Sequence, residues 1–191
     1  MCGRYYIDID EQELRDICDE VQRNIDNAPE QLSFSVSSGE IFPTNIVPVR
    51  VGDSKYQAMK WGFTGYDKKP IINARSETAL IKPTFKKPMI EGRCLIPASS
   101  YFEWQRDKSA KQKYRFTLPD RSIMYMAGCY RVEPESKIAS FVILTKDAVT
   151  SLQEIHNRMP VIIPNNMIDD WLNIGADVIQ KAIGELSFEV A

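Results

Sequence analysis

Apolar residues recur every three or four positions near the start of the chain. Within residues 10–25 this spacing relates five side chains: Leu14, Ile17, Cys18, Val21 and Ile25. Such a period matches the turn of an α-helix and places all five on one face. The segment is therefore predicted to be an amphipathic helix, and Cys18 is expected to be a thiol of the hydrophobic core.

Beyond this segment, short runs of β-branched and aromatic residues alternate with turn residues. They predict strands over 46–51, 56–61, 93–97, 101–106, 113–118, 123–130, 139–144 and 160–163. Serines, a glycine and two prolines predict an exposed loop over 28–43. Helical segments are expected after Asn73, over about 146–155 and over 166–184.

Many short strands with few helices predict the α+β class. We expect a single domain over residues 1–191, with an antiparallel, β-rich, open barrel-like core and flanking helices. Parallel winding of alternating strands and helices fits this pattern less well, because the strands are short and numerous.

Composition limits the classes of protein that the chain can be. Its 191 residues, 43% hydrophobic and 26% charged, are enough for one sizeable core. No run approaches the roughly 20 apolar residues that a membrane span needs. The start of the chain is interrupted by four charged residues: Arg4, Asp8, Asp10 and Glu11. A secretory signal has an uninterrupted apolar stretch instead. These features predict a cytoplasmic protein with no membrane partner.

The cysteine and histidine content disfavours metal and disulfide chemistry. The four cysteines, none of them in a C-x-x-C pair, are Cys2, Cys18, Cys94 and Cys129, and the chain has one histidine. Zinc sites and disulfide frameworks need closer spacings than these. We therefore expect no metal and no cofactor. The net charge of −2 also argues against coating of nucleic acid by bulk charge, so any nucleic-acid contact needs a local cluster of arginines.

Cys2 offers unusual chemistry because of its position. Removal of Met1 is expected, since cysteine is small, and it leaves an α-amine and a thiol on adjacent carbons of one residue. Their ordinary pKa values are about 7.7–8.0 and about 8.5. An aldehyde can form a Schiff base with such an amine, and the thiol can then close a thiazolidine ring. The alternative is that Cys2 belongs to a frayed terminus.

Two polar residues lie where predicted elements meet. Asn73 follows an apolar pair and either caps a helix or orients a substrate oxygen or the terminal amine. Strand alternation places Glu103 on the face opposite Phe102 and Trp104. An acid among aromatic residues is expected to be desolvated, with a raised pKa suited to proton transfer. The alternative for Glu103 is a solvated sheet face.

The remaining candidates are the only histidine and two groups of large side chains. His156 lies at a predicted helix-to-strand junction, as either a structural residue or a titrating one. The guanidinium groups of Arg4, Arg75 and Arg158 match the geometry of phosphate. Trp61 and Trp104 either stack on unpaired bases or pack in the core.

Several motifs along the chain, taken in order, resemble one protein family. They are Met1-Cys2-Gly3-Arg4, Pro43-Thr44, Pro48-Val49, Trp61-Gly62-Phe63, Asn73-Ala74-Arg75-Ser76-Glu77-Thr78, Arg93-Cys94-Leu95-Ile96-Pro97, Phe102-Glu103-Trp104, Ala127-Gly128, Thr145 with Ala148, and His156-Asn157-Arg158-Met159-Pro160-Val161. Their order and spacing resemble the SOS response-associated peptidase (SRAP) family, the abasic-site processing proteins. The segment Gly39-Glu40-Ile41-Phe42 departs from the family's usual Tyr-Asn-hydrophobic-Ala stretch.

The resemblance implies a sensor that captures abasic sites in single-stranded DNA. It implies that Cys2 is the nucleophile, that Asn73 positions the reacting terminus, and that Glu103 moves protons. It implies that His156 assists at the sugar and the adjacent phosphate. The DNA-binding residues that it implies are Arg4, Arg75, Arg158, Trp61, Trp104 and Pro43.

The expected product is a covalent thiazolidine crosslink that protects the lesion in the DNA damage response. An uncyclised Schiff base can instead undergo β-elimination, which predicts a weak lyase activity. Two alternatives remain open. The first is a cysteine peptidase or self-processing amidase that uses Cys2 with Glu103 and His156. The second is a module that binds single-stranded DNA reversibly. The sequence identifies no protein partner.

Overall fold

Strands make up most of the regular structure. The computed structural model describes residues 2–29, 33–52, 54–105, 112–134, 136 and 138–191. The strands in these residues are β1 (Arg4–Ile7), β2 (Gly39–Ile41), β3 (Ile46–Val51), β4 (Lys55–Trp61), β5 (Phe63–Thr64), β6 (Pro70–Ile71), β7 (Asn73–Arg75), β8 (Arg93–Ala98), β9 (Ser100–Trp104), β10 (Lys113–Thr117), β11 (Met124–Val132), β12 (Ala139–Asp147), β13 (Arg158–Pro160), β14 (Ile162–Ile163) and β15 (Ser187–Val190). The α-helices are α1 (Gln12–Asp26), α2 (Ser76–Ala79) and α3 (Pro83–Glu91).

Within the described part of the chain, five strands close into a barrel. The ring runs β12-β4-β3-β8-β11 and returns to β12. The β12–β4 pair is parallel and the other four pairs are antiparallel. The predicted α+β class with a barrel-like core is confirmed, and the barrel is closed because β11 pairs with both β8 and β12.

A second, antiparallel sheet holds the start of the chain at its centre. Its order is β15-β10-β9-β1-β2, so β1 lies between β9 and β2. The register places Tyr5 opposite Tyr101 and Arg4 opposite Phe102. Because side chains alternate along a strand, Tyr5 and Tyr101 lie on the inner face and Arg4 and Phe102 on the outer face.

Helix α1 confirms the amphipathic pattern. The five predicted apolar positions are its buried residues, and the helix packs against β3 and β4. The neighbouring expectation, a loop over 28–43, is only partly right. Its last part forms β2, which pairs with β1, and residues 30–32 lie outside the described residues.

The strand predictions are largely confirmed, whereas the helix predicted over 146–155 is wrong. The strand expected over 101–106 ends at Trp104, and residues 106–111 lie outside the described part. In place of a helix over 146–155, β12 continues to Asp147 and only a short 3₁₀ turn follows. The helical segments expected over 166–184 are present as short 3₁₀ and π helices: Asn165–Met167, Asp170–Ile174 and Ala176–Lys181. The segments after Asn73 are helical as predicted, in α2 and α3.

The helices of the described ranges include none that is long and apolar enough to cross a membrane. The same ranges contain no group of three or more acidic, cysteine or histidine residues placed to hold a metal ion. Met1, whose removal is expected because Cys2 is small, lies outside the described residues.

Candidate functional site

Four polar residues from separate parts of the chain converge near the N-terminal end of β1. The Nδ2 atom of Asn73 donates a 2.8 Å hydrogen bond to the carbonyl oxygen of Cys2. The carboxylate of Glu103 acts electrostatically on the Cys2 thiol. The Nε2 atom of His156 lies 3.8 Å from Oε2 of Glu103. Strands β7 and β9 supply Asn73 and Glu103, which act on Cys2 directly, and the loop before β13 supplies His156, which lies beside Glu103.

Cys2 is fully buried, so the frayed-terminus alternative is wrong for this residue. Burial raises the pKa of its thiol far above the ordinary value, and the nearby Glu103 carboxylate raises it further. The thiol donates a long hydrogen bond, with 3.7 Å between Sγ and the carbonyl oxygen of Arg4. The thiol is therefore neutral at neutral pH, and its use as a nucleophile requires that a neighbouring group take its proton.

Asn73 is held by the core rather than by a helix. The Nε1 atom of Trp61 donates a 3.0 Å hydrogen bond to the carbonyl oxygen of Ile72, next to Asn73. Helix α2 begins at Ser76, and its cap makes no side-chain hydrogen bond, so the helix-cap interpretation of Asn73 is wrong. The Oδ1 atom of Asn73 is buried and has no hydrogen-bond partner among the described residues. A buried acceptor of this kind is suited to receive an N–H group of a reacting terminus.

Glu103 and His156 form a buried acid–imidazole pair. Glu103 is 4% exposed and His156 is 6% exposed, which excludes the solvated-face alternative for Glu103. The backbone N–H of Arg158 donates a 3.0 Å hydrogen bond to Nδ1 of His156. Nδ1 also lies 3.1 Å from the carbonyl oxygen of Arg158, so the backbone of that residue holds the ring while Nε2 faces the Glu103 carboxylate. His156 is thus held by the backbone of Arg158 on one side of its ring and lies beside Glu103 on the other.

Arg158 does not fit its predicted role as a DNA-binding residue. Its side chain is 8% exposed, and its guanidinium makes two hydrogen bonds to Glu77, of 2.6 and 3.0 Å. It also bonds Asp147 at 2.6 Å and both the carbonyl and hydroxyl oxygens of Thr145. Because these acceptors take both terminal nitrogens of the guanidinium, and its Nε atom is buried, Arg158 joins α2 to β12 and is not available to phosphate.

Arg4 and Arg75 fit the predicted role better. Arg75 is exposed in β7, two residues after Asn73. The side chain of Arg4 is 32% exposed on the outer face of the second sheet. Its guanidinium lies 3.6 Å from the ring centroid of Phe42 and 5.8 Å from that of Trp104.

The two tryptophans were each expected either to stack on bases or to pack in the core, and they differ in the structure. Trp61 is fully buried, with Tyr5 at 5.1 Å and a stacked Phe141 at 6.5 Å between ring centroids. It is a core residue, and base stacking by Trp61 is excluded in this conformation. Trp104 is only partly buried, on the outer face near Arg4. Pro43 is partly buried in the turn after β2.

Sequence reasoning missed several residues that shape the site. Glu77 and Thr145 fix Arg158, and both belong to motifs in which only their neighbours were assigned roles. Glu40 and Lys113 flank Arg4 on the outer face. Their local sequence carries no signal, since charged residues on short strands are ordinary at a surface.

The chain is similar over nearly its whole length to known proteins. The family described as SOS response associated peptidase (SRAP) matches residues 1–188. The abasic site processing protein YoqW of Bacillus subtilis is 32% identical over 186 residues, covering 91% of this chain and 80% of that protein. The abasic site processing protein YedK of Escherichia coli is 28% identical, covering 100% and 85%. A crystal structure of a Bordetella bronchiseptica protein matches with a TM-score of 0.76 at 21% identity, covering 100% and 99%, which shows a shared fold.

Proposed function

Because the chain belongs to the SOS response-associated peptidase family, we propose that it processes abasic sites in DNA. The finer proposal is that it captures the lesion in single-stranded DNA as a covalent adduct on Cys2, after removal of Met1. The adduct protects the lesion during the DNA damage response. The observation that carries this proposal is that Asn73 holds the backbone of Cys2 while Glu103, with His156 beside it, acts on the Cys2 thiol.

The proposed chemistry joins an aldehyde to the amine and the thiol of one residue. The open form of the abasic sugar presents an aldehyde carbon, which the α-amine of Cys2 attacks. Loss of one water gives a Schiff base. The thiol sulfur then bonds to the imine carbon, the thiol proton passes to the imine nitrogen, and a thiazolidine ring closes. Aldehyde and aminothiol thus give thiazolidine and water, with no oxidant or reductant needed.

Glu103 and His156 supply the proton transfers of this sequence. A proton must reach the ring oxygen to open the closed sugar, and another must leave the amine when it attacks. A buried carboxyl beside an imidazole can exchange protons with both positions. The neutral thiol of Cys2 also needs a base, and Glu103 is the carboxylate that interacts with it electrostatically.

Single strands are the favoured substrate because an unpaired sugar is reached without distorting a duplex. Arg4 and Arg75 are exposed cations for the phosphate backbone, and Trp104 offers a partly exposed ring for an unpaired base. A Schiff base that is released before ring closure can undergo β-elimination, which gives a weak lyase activity as a side reaction.

The peptidase alternative requires a Cys2 thiolate that attacks a peptide carbonyl. A reactive thiolate needs a lowered pKa, whereas burial and the Glu103 carboxylate raise that of Cys2. This observation favours the aldehyde chemistry, in which the amine attacks first. A reversible binder remains the main competitor, since Arg4, Arg75 and Trp104 serve it equally well.

The decisive experiment mixes the purified protein with a single-stranded oligonucleotide that holds one abasic site. We expect a band of lower mobility that survives denaturing electrophoresis. A matched variant with an unremovable residue inserted before Cys2 keeps the thiol and displaces the amine, so it should form no such band. Salt-labile binding without a band would support the reversible binder, and a normal band from the extended variant would refute the paired-nucleophile mechanism.

A further inference from the structure

One carboxylate oxygen bridges two cations on the outer face of the second sheet. Oε1 of Glu40 accepts a 3.1 Å hydrogen bond from Nη1 of Arg4 and a 2.9 Å hydrogen bond from Nζ of Lys113. The three residues come from β2, β1 and β10. Two cations converging on a single anionic oxygen is also the arrangement that binds a phosphate oxygen.

Aromatic rings surround this pair of cations. The ammonium group of Lys113 lies 3.9 Å from the ring centroid of Phe102, and the guanidinium of Arg4 lies 3.6 Å from that of Phe42. Both cations are 5.8 Å from the ring of Trp104. Phe42 is 42% exposed, so its ring is partly open to solvent. Cations beside the exposed ring of Phe42 and the partly exposed ring of Trp104 suit a chain of phosphates and unpaired bases.

Two residues of the outer face are close in sequence to the reactive residues. Arg4 is two residues from Cys2, and Trp104 directly follows Glu103. Because side chains alternate on β9, the Glu103 side chain points inward while Phe102 and Trp104 point outward. Arg4 and Trp104 on the outer face are thus close sequence neighbours of Cys2 and Glu103.

We propose that Arg4 and Lys113 form a binding site for a phosphodiester of single-stranded DNA, and that Glu40 occupies this site as an internal competitor while DNA is absent. The bound phosphate belongs to a nucleotide adjacent to the abasic one, and its base stacks on Phe42 or Trp104. This inference rests on the proposed function, because it takes DNA as the ligand.

Displacement of Glu40 is energetically accessible. The side chains of Arg4, Lys113 and Glu40 are 32%, 25% and 30% exposed, so water screens both ion pairs. Partly exposed pairs of this kind contribute little each. Burial opposes ionisation of Glu40, but the hydrogen bonds from Lys113 and Arg4 outweigh it and lower the pKa of the carboxyl. Glu40 thus stays charged at neutral pH and neutralises one of the two cations.

Glu40→Gln tests the competition directly. Binding of an undamaged single-stranded oligonucleotide, measured by fluorescence anisotropy at low salt, should tighten about 5-fold as two weak ion pairs no longer need to break. The matched control is Glu91→Gln, which removes the same charge from an exposed acid paired with Lys87 at 3.7 Å. We expect the control to change affinity less than 2-fold. Thermal unfolding of both variants checks that each is folded.

Lys113→Ala tests the second cation. It should weaken binding and flatten the slope of log affinity against log salt by roughly 0.7, the value for one lost phosphate contact on a single strand. Lys87→Ala is the matched control and should leave the slope unchanged. In the Arg4→Ala/Lys113→Ala background, Glu40→Gln should raise the affinity for single-stranded DNA no more than Glu91→Gln does, because the cations that Glu40 neutralises are absent.

The same proteins separate this inference from the proposed function. If the adduct forms on the abasic strand but Glu40→Gln and Glu91→Gln bind undamaged DNA with equal affinity, then Glu40 does not compete with phosphate. The proposed covalent chemistry is unaffected by that result. Tighter binding by Glu40→Gln without any denaturant-resistant adduct would retain the phosphate site and reject the covalent chemistry. If Lys113→Ala and Lys87→Ala have the same slope of log affinity against log salt, Lys113 does not contact the phosphate.

Discussion

The Asn73 side chain holds the backbone of Cys2 through a 2.8 Å hydrogen bond that joins residues 71 positions apart. The bond fixes the first described residue of the chain against β7, which itself pairs with the barrel strand β12. The start of the chain is thereby attached to the barrel. A terminus that must react at a defined angle needs an attachment of this kind, because orientation contributes much of the rate of such reactions.

We predict that Asn73→Ala slows adduct formation by roughly 10- to 100-fold, because the terminus loses its orientation. Single-turnover rates at saturating DNA measure this effect. Affinity for an undamaged strand should be unchanged, since the Asn73 side chain faces Cys2. An unchanged rate in a folded Asn73→Ala protein would show that the hydrogen bond has no part in the reaction.

Cys2→Ala should abolish the denaturant-resistant adduct and cost only about 1 kcal/mol of stability, because the buried group that it removes is small. Cys2→Ser keeps the amine, so trapping of the Schiff base by borohydride should survive in that variant. Gel analysis with and without borohydride distinguishes the two. A persistent stable adduct in Cys2→Ala would exclude the thiazolidine.

Glu103→Gln keeps the shape of the side chain and removes its ability to give up and regain a proton. We expect adduct formation to slow by about 100-fold, within the usual range for general acid–base catalysis, with nearly unchanged affinity. His156→Ala should also act mainly on the rate, through the loss of its contact with Glu103. A pH–rate profile that changes shape in both variants would identify the pair as the titrating unit, whereas an effect on affinity alone would contradict the assignment.

Arg158→Ala and Arg75→Ala should differ in what they change. Arg158 is buried in a network with Glu77, Asp147 and Thr145, so its loss should destabilise the fold by about 1–3 kcal/mol in urea unfolding, less than for a fully buried pair. Arg75 is exposed, so its loss should leave stability intact and reduce the salt slope of DNA binding by roughly 0.7. The reverse result would restore Arg158 as the phosphate contact.

Acid should weaken the link between Glu77 and Arg158. The hydrogen bonds from Arg158 lower the pKa of Glu77 against a smaller opposing effect of burial. A carboxyl with a lowered folded-state pKa stabilises the fold above its unfolded value of about 4.3, and this contribution is lost as pH falls through the folded pKa. Unfolding free energies measured from pH 6 to 3 should therefore fall less steeply for Glu77→Gln than for the unaltered protein.

Local patterns were sufficient for much of the fold. Helix α1 and most of the strands were predicted because their apolar spacing reports which face is buried. The helix expected over 146–155 failed because pairing of β12 with β13 extends that strand to Asp147, and local propensity does not reveal such pairing. Strand β1 was not predicted although Tyr5, Tyr6 and Ile7 favour strands, and only the tertiary structure shows that it pairs with β9 and β2.

The sequence by itself determined the candidate chemistry: an amine and a thiol on Cys2, a single histidine, and an acid on an aromatic strand. Only the tertiary structure decided which of the candidates can act. Trp61 and Trp104 look alike in sequence, yet one lies in the core and the other on the outer face. Arg4 and Arg158 also look alike, yet Arg158 is enclosed by acceptors and Arg4 shares one carboxylate with Lys113. Residue type fixes which bonds a group can make, but burial and charge pairing depend on strands that are distant in sequence and meet only in the folded chain.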